Sequence, residues 1–119
     1  MATMNSIIEY VDGVKPNAYD DEVKYRWINT LEGLISREVH GVSAPEYNLP
    51  DDVDVPLMVP SPYDDLYHLY VSAMIDFYNR EYNDYNNTIL MFNERLDQYK
   101  VWHIRNTASQ RRNFRNVMG

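Results

Sequence analysis

The chain has 119 residues, a formal net charge of −7 and no cysteine. This length predicts one domain with a modest core, and the lack of cysteine excludes disulfides, thiolate metal sites and a cysteine nucleophile. The four glycines lie too far apart for a phosphate-binding loop, so nucleotide binding through such a loop is also excluded.

Charge is distributed unevenly along the chain. Of the 11 basic residues, five lie in residues 98–119 together with no acid, while the other six share residues 1–97 with all 18 acids, giving +5 and −12. An acidic body repels nucleic acid, because binding to phosphates needs clustered lysine and arginine. A sequence-reading DNA-binding protein is therefore not expected.

No signal for export or membrane insertion is present. The longest apolar runs fall far short of the roughly 18 residues that a membrane helix needs. The start, MATMNSIIEYVDG, lacks the basic residues and apolar run of a secretory signal. We expect a soluble chain that is not exported and does not bind a membrane.

Two helices are predicted before residue 41. Ile7, Ile8 and Val11 lie at near-helical spacing after a capping residue, Thr3 or Asn5, which predicts a short first helix. The acidic DDE stretch favours the start of a second helix, which should end near residue 39. The apolar face of this second helix, expected to form core, comprises Val23, Trp27, Ile28, Leu31, Leu34, Ile35 and Val39.

Residues 41–62 are predicted to form an extended connection. They carry all but one of the six prolines, which exclude helix through most of the segment. Leu57, Met58 and Val59 form its compact apolar run and leave room for one or two short strands. A third helix should then start at Ser61 and Pro62, which have the spacing of a capping motif.

The third helix carries most of a tyrosine-rich stretch, YDDLYHLYVSAMIDFYNREYNDYNN, that spans residues 63–87. One arc of it has an ordinary core pattern: Leu66, Leu69, Tyr70, Ala73 and Phe77. An adjoining arc is also apolar: Tyr63, Tyr67, Val71, Met74 and Tyr78. The two arcs span about 200°, more than one flank of a small bundle buries.

A fourth helix, ending near residue 105, repeats this pattern. Its core face comprises Ile89, Phe92, Leu96, Tyr99 and His103, while Met91 and Trp102 lie opposite with Arg95 between them. Tyrosine suits a surface that is wet in the monomer and buried in an assembly. The predicted contacts between subunits are Tyr63, Tyr67, Met74, Tyr78, Met91, Arg95 and Trp102. The alternative is that the tyrosines fill the core and rim of a monomeric bundle.

No motif for catalysis or metal binding is found. The three histidines lack the HExxH pattern, and Asp64, Asp65 and His68 form only a loose cluster. The acidic DDVDVP stretch lacks the glycine and glutamate of an EF-hand. We predict no catalytic residue, no cofactor and no metal, and therefore no enzyme.

The basic C-terminus is predicted to be a separate arm. We expect an all-α fold, a small bundle of about four helices over residues 1–104 with the extended proline-rich connection, followed by an arm over residues 105–119. The arm residues predicted to bind an acidic partner are Arg105, Arg111, Arg112, Phe114 and Arg115. The alternative is a solvated terminus without a partner.

Two motifs resemble a known family. The first is KPNAYDDEVKYRWINTLEG, in which the matching residues are Lys15, Pro16, Asn17, Tyr19, Lys24, Trp27, Leu31, Glu32 and Gly33. The second is the tyrosine-rich stretch, in which they are Tyr63, Tyr67, Tyr70, Ala73, Asp76, Glu81, Tyr85 and Asn86. Over residues 7–99 the chain resembles the head-tail connector, or head-completion adaptor, proteins of tailed bacteriophages.

This resemblance implies a structural subunit of the virion neck that is assembled in the host cytoplasm. It implies a homo-oligomeric ring, of twelve copies, beneath the portal protein, where the ring lengthens the DNA channel and carries a stopper or tail-completion protein. DNA would pass through the lumen without sequence-specific binding, and the C-terminal arm would bind the portal. The competing hypothesis is a small helical regulatory module whose arginine-rich tail contacts nucleic acid.

Overall fold

A computed structural model describes the backbone of residues 2–118 and the side chains of residues 2–107. Within that part of the chain there are four α-helices and no strand: α1 (Met4–Val14), α2 (Asp21–Ile35), α3 (Leu66–Tyr78) and α4 (Tyr82–Met118). The predicted all-α fold of four helices is therefore confirmed.

Helix α1 starts at a capping box. The Ser6 N–H donates to Thr3 Oγ1 at 3.1 Å, and the Thr3 N–H donates to Ser6 Oγ at 2.9 Å. These two bonds satisfy amides that the first helical turn leaves free. The helix buries its apolar residues Met4, Ile7, Ile8 and Val11 in the core.

Helix α2 continues beyond residue 35 as one π-helical turn, Ser36–His40. The turn is followed by Gly41, whose φ of 67° lies in the left-handed region that favours glycine. The second helix was expected to end near residue 39, and this turn ends at residue 40.

The buried face of α2 differs from the predicted one. Ile28, Leu31 and Ile35 are buried as expected, whereas Val23 and Leu34 are exposed. The face that enters the core is rotated by about 60° around the helix and includes the charged residues Lys24 and Glu32. The rotation is possible because both charged groups find partners inside the protein.

Residues 41–62 connect α2 to α3 without helix or strand. The connection runs beside the N-terminus of α1, where the Leu57 N–H donates to the Ala2 carbonyl at 2.8 Å and the Asn5 N–H donates to the Val53 carbonyl at 3.0 Å. Leu57 and Val59 are buried in the common core.

Helix α3 follows a short 3₁₀ turn, Tyr63–Asp65, and packs mainly against α4. Its buried face also differs from the prediction. Ser72 and Asp76, which lie outside both predicted apolar arcs, are buried, and Phe77, expected in the core, is 43% exposed. Tyr67 is 0% exposed. Its assignment to a contact between subunits is therefore wrong, because its ring is enclosed by its own subunit.

Helix α4 is the longest element, with 37 residues. Its backbone continues as helix past the expected end near residue 105, through the predicted boundary between domain and arm. Phe92 and Tyr99 anchor it to the core. No helix in the part of the chain searched is both long and apolar enough to cross a membrane.

Candidate assembly surface

The outer side of α4 carries several large apolar side chains that are exposed within the described part of the chain. Leu90 and Ile104 are 66% and 65% exposed. Met91, Val101 and Trp102 are also exposed. At about 100° per residue, Leu90 and Val101 point away from the core face of α4, and Met91 and Trp102 lie on its flank. Apolar side chains grouped in this way are typical of interaction surfaces.

A groove of about 910 Å³ runs along this side of α4 as far as the turn before α3. Its apolar walls come from Leu90, Val101 and Trp102. Acidic Glu94 and Asp97 line it together with basic Arg95 and Arg105. Because both signs of charge occur beside apolar surface, the groove has the composition of a protein contact rather than of a nucleic-acid site.

The side chains at the end of the groove are held in place before any partner binds. The Trp102 ring stacks on Tyr99 with centroids 5.9 Å apart, and it lies 5.6 Å from the ring of Tyr63. Arg95 Nε lies 2.9 Å from an Asp65 carboxylate oxygen. Fixed side chains lose less entropy on binding, which favours a specific contact.

A second apolar depression lies between α2 and α4. It encloses about 180 Å³, and its wall includes the exposed side chain of Leu34 beside Val39, Phe92 and Leu96. Helical periodicity places Phe92 and Leu96 on the side of α4 opposite the groove. The subunit thus presents two different apolar sites on opposite sides of its longest helix.

The structure places three of the predicted contact residues, Tyr63, Arg95 and Trp102, together in the groove. Met91 lies exposed on the same helix, and Met74 is half-buried in α3. Tyr78 is 56% exposed, and its ring lies parallel to that of Trp27 with centroids 5.6 Å apart. Whether these six residues contact another copy stays a prediction.

Of the predicted arm residues, Arg105 is exposed and lines the groove. The other four lie outside the residues whose side chains the structure describes: Arg111, Arg112, Phe114 and Arg115. Their binding to a partner remains a prediction.

Tyr67 and Tyr47 serve a buried polar network that the sequence analysis missed. Glu32 is 0% exposed, and its carboxylate accepts hydrogen bonds from both hydroxyls, the Tyr47 bond measuring 2.9 Å, and from the Met58 N–H at 3.1 Å. Burial first, and then the charge of Glu32, raise the pKa of both tyrosines. The sequence held one indication of this network: a tyrosine hydroxyl that is buried needs a polar partner.

Two lysines also form ion pairs at the edge of the core, each between one buried and one partly exposed side chain. Lys24, 2% exposed, places its Nζ 2.7 Å from Asp12 Oδ1. Lys15 Nζ lies 2.5 Å from Oδ1 of the fully buried Asp76. Both lysines belong to the first sequence motif, so that motif contributes to the packing of α1, α2 and α3.

His40 links the end of α2 to α4. Its Nε2 lies 2.6 Å from the Tyr99 hydroxyl, and its ring centroid lies 4.6 Å from that of His103. Burial lowers the pKa of His40, and the neighbouring charge of His103 lowers it further. Burial also lowers the pKa of His68, against the opposing effect of Asp65 and Asp64.

Acidification is expected to destabilise the protein through these histidines. Because the folded-state pKa is lowered, the unfolded state binds more protons, so the free energy of unfolding should fall as the pH drops below about 6.5. Urea unfolding at several pH values between about 7 and 5 measures the slope of the unfolding free energy against pH. Most carboxylates titrate below this range. The slope should be smaller in His40→Gln, and an equal slope in the variant would contradict the assignment.

Asp64, Asp65 and His68, the loose cluster noted in the sequence, are not the carboxylate set that lies close enough to share a metal ion. Among the residues searched, the one set of carboxylates with suitable proximity is Asp76, Glu81 and Asp84.

Comparison with protein-family models, with curated proteins and with solved structures finds no match for this chain.

Proposed function

We propose that this chain is a structural subunit that assembles with copies of itself into a ring, and that the ring is a head-tail connector of a tailed bacteriophage. The observation that carries the proposal is the uncovered apolar side of α4. Leu90, Val101 and Trp102 lie there within one groove beside charges of both signs. Burying such side chains between copies would remove apolar area from water, at roughly 25 cal/mol per Å².

The position of the two apolar sites favours a ring over a closed dimer. A symmetric dimer uses the same patch on both copies, whereas a ring needs two different patches that bind each other head to tail. The groove and the depression beside Leu34 lie on opposite sides of α4 and differ in size, at about 910 and 180 Å³. In the proposed ring, the groove side of one copy therefore binds the Leu34 side of the next.

The resemblance of the two motifs supplies the proposed place of this ring. It would lie in the virion neck beneath the portal protein, and it would carry a stopper or tail-completion protein. The net charge of −12 over residues 1–97 suits a channel through which DNA slides without adhering. The arginines of the C-terminus are proposed to bind the portal, and no catalytic step is assigned to the subunit.

Negative-stain electron microscopy of the purified chain, combined with a DNA titration, tests this function. We expect closed rings with an open centre and no measurable affinity for duplex DNA at physiological salt. The competing regulatory module would give monomers or dimers that bind DNA with an affinity falling steeply as salt increases. That second result would contradict the connector function.

A further inference from the structure

The turn between α3 and α4 brings three carboxylates together. Asp76 lies near the end of α3, Glu81 directly precedes α4, and Asp84 lies in the first turn of α4. One oxygen from each lies within 4.8 Å of the others. The turn is tight, because the Glu81 N–H donates to the Asp76 carbonyl at 2.9 Å and Arg80 adopts a φ of 63°.

Asp76, like Glu32, is fully buried. Its Oδ1 pairs with Lys15 Nζ at 2.5 Å. Its Oδ2 is also buried and has no hydrogen-bond partner within the described part of the chain. A buried carboxylate oxygen without a partner is costly and rare in folded proteins. The free oxygen therefore points to a ligand with positive charge.

We propose that Asp76, Glu81 and Asp84 bind a divalent cation that prefers oxygen ligands, with Ca²⁺ as the best fit. Ca²⁺ takes oxygen ligands at about 2.4 Å, so ligands of one ion lie no more than about 4.8 Å apart, and the three oxygens meet that condition. Glu81 and Asp84 are exposed, so water can complete the coordination. Mg²⁺ fits less well, because it requires near-octahedral geometry at shorter distances.

The charges at the turn also favour a cation. Three carboxylates lie near two positive groups, the ammonium of Lys15 and the guanidinium of Arg80 in the same turn, which leaves a local charge of about −1. A divalent cation would offset it and would tie the end of α3 to the start of α4. Because two ligands are exposed and Lys15 opposes the ion, we expect a dissociation constant on the order of 10⁻⁴ to 10⁻³ M.

Isothermal titration calorimetry of the full chain with CaCl₂ tests the site. The test variant combines Glu81→Gln with Asp84→Asn, two exposed positions where the fold should tolerate an amide. The matched control combines Glu46→Gln with Asp51→Asn, which removes the same charge from exposed positions in the connection. We expect one Ca²⁺ per chain in the unchanged protein and in the control, and at least a tenfold weaker affinity in the test variant.

A second variant separates a true site from general attraction to an acidic protein. Lys15→Gln removes the competing positive charge beside Asp76, so it should tighten Ca²⁺ binding several-fold, provided circular dichroism shows native helix content. If the Lys15→Gln variant unfolds, melting temperatures replace it as the test. Ca²⁺ should raise the melting temperature of the unchanged protein and should not raise that of the test variant. Equal Ca²⁺ affinity in the test and control variants would overturn the proposal. This result would leave the proposed ring untouched, since the assembly surface lies elsewhere on α4.

Discussion

Tyr67→Asp is expected to unfold the subunit. The substitution places a second carboxylate beside the buried Glu32, removes a hydroxyl that donates to it, and leaves a cavity where the ring packed. Removing a large buried side chain costs about 3 to 5 kcal/mol, and burying an unpaired charge adds to that cost. Since small domains have about 5 to 15 kcal/mol of total stability, far-UV circular dichroism at room temperature should show loss of helix.

Two further substitutions serve as controls for this result. Tyr67→Phe keeps the ring and removes only the hydroxyl, so it should cost about 1 to 3 kcal/mol in urea unfolding and leave a folded protein. Tyr78→Asp changes a tyrosine that is 56% exposed and should keep native helix content. A folded Tyr67→Asp variant would show that the ring is not part of the core.

The largest expected effect on assembly comes from combining Leu90→Asp with Trp102→Asp. Both side chains line the groove, and new carboxylates beside Glu94 and Asp97 would prevent its apolar walls from being buried. Hot-spot residues at the centre of an interface cost about 2 kcal/mol or more each when truncated, so if both residues are hot spots the pair should weaken association by about a factor of 10³. Light scattering should report monomers, while circular dichroism reports unchanged helix content.

The matched control for the assembly variant is Val55→Asp. It introduces the same charge at a position in the connection that is 41% exposed, away from the groove. Its mass distribution should equal that of the unchanged protein. If the α4 variant assembles as well as the control does, the groove is not the contact surface.

The first helix could be predicted well because its signals are local. Thr3 and Ser6 form the expected kind of cap, and the apolar spacing of Ile7, Ile8 and Val11 matches the buried face. Periodicity was less reliable for α2, where Val23 and Leu34 were expected in the core. Lys24 and Glu32 take their place because Asp12 and Tyr67 supply partners from other parts of the chain, which a single helix cannot reveal.

The candidate surface could be predicted only in part. Met91 and Trp102 were predicted outside the core face and are exposed, although they lie on the flank of α4 rather than opposite that face. Leu90 and Val101 are eleven residues apart, as Met91 and Trp102 are, and each precedes one of that pair by one position. The same periodicity could therefore have predicted that Leu90 and Val101 are exposed. The groove itself could not be foreseen, because its end is formed by Tyr63, which tertiary folding brings beside Trp102. The burial of Asp76, outside both predicted apolar arcs, could not be foreseen for the same reason, since its partner Lys15 lies 61 residues away in sequence.

Sedimentation equilibrium of the unmodified chain over a wide concentration range tests self-assembly most directly. Our account predicts that the weight-average mass rises from 14.1 kDa and levels off at one fixed multiple of it, as expected for a closed ring. A mass that stays at 14.1 kDa up to the highest soluble concentration would contradict it.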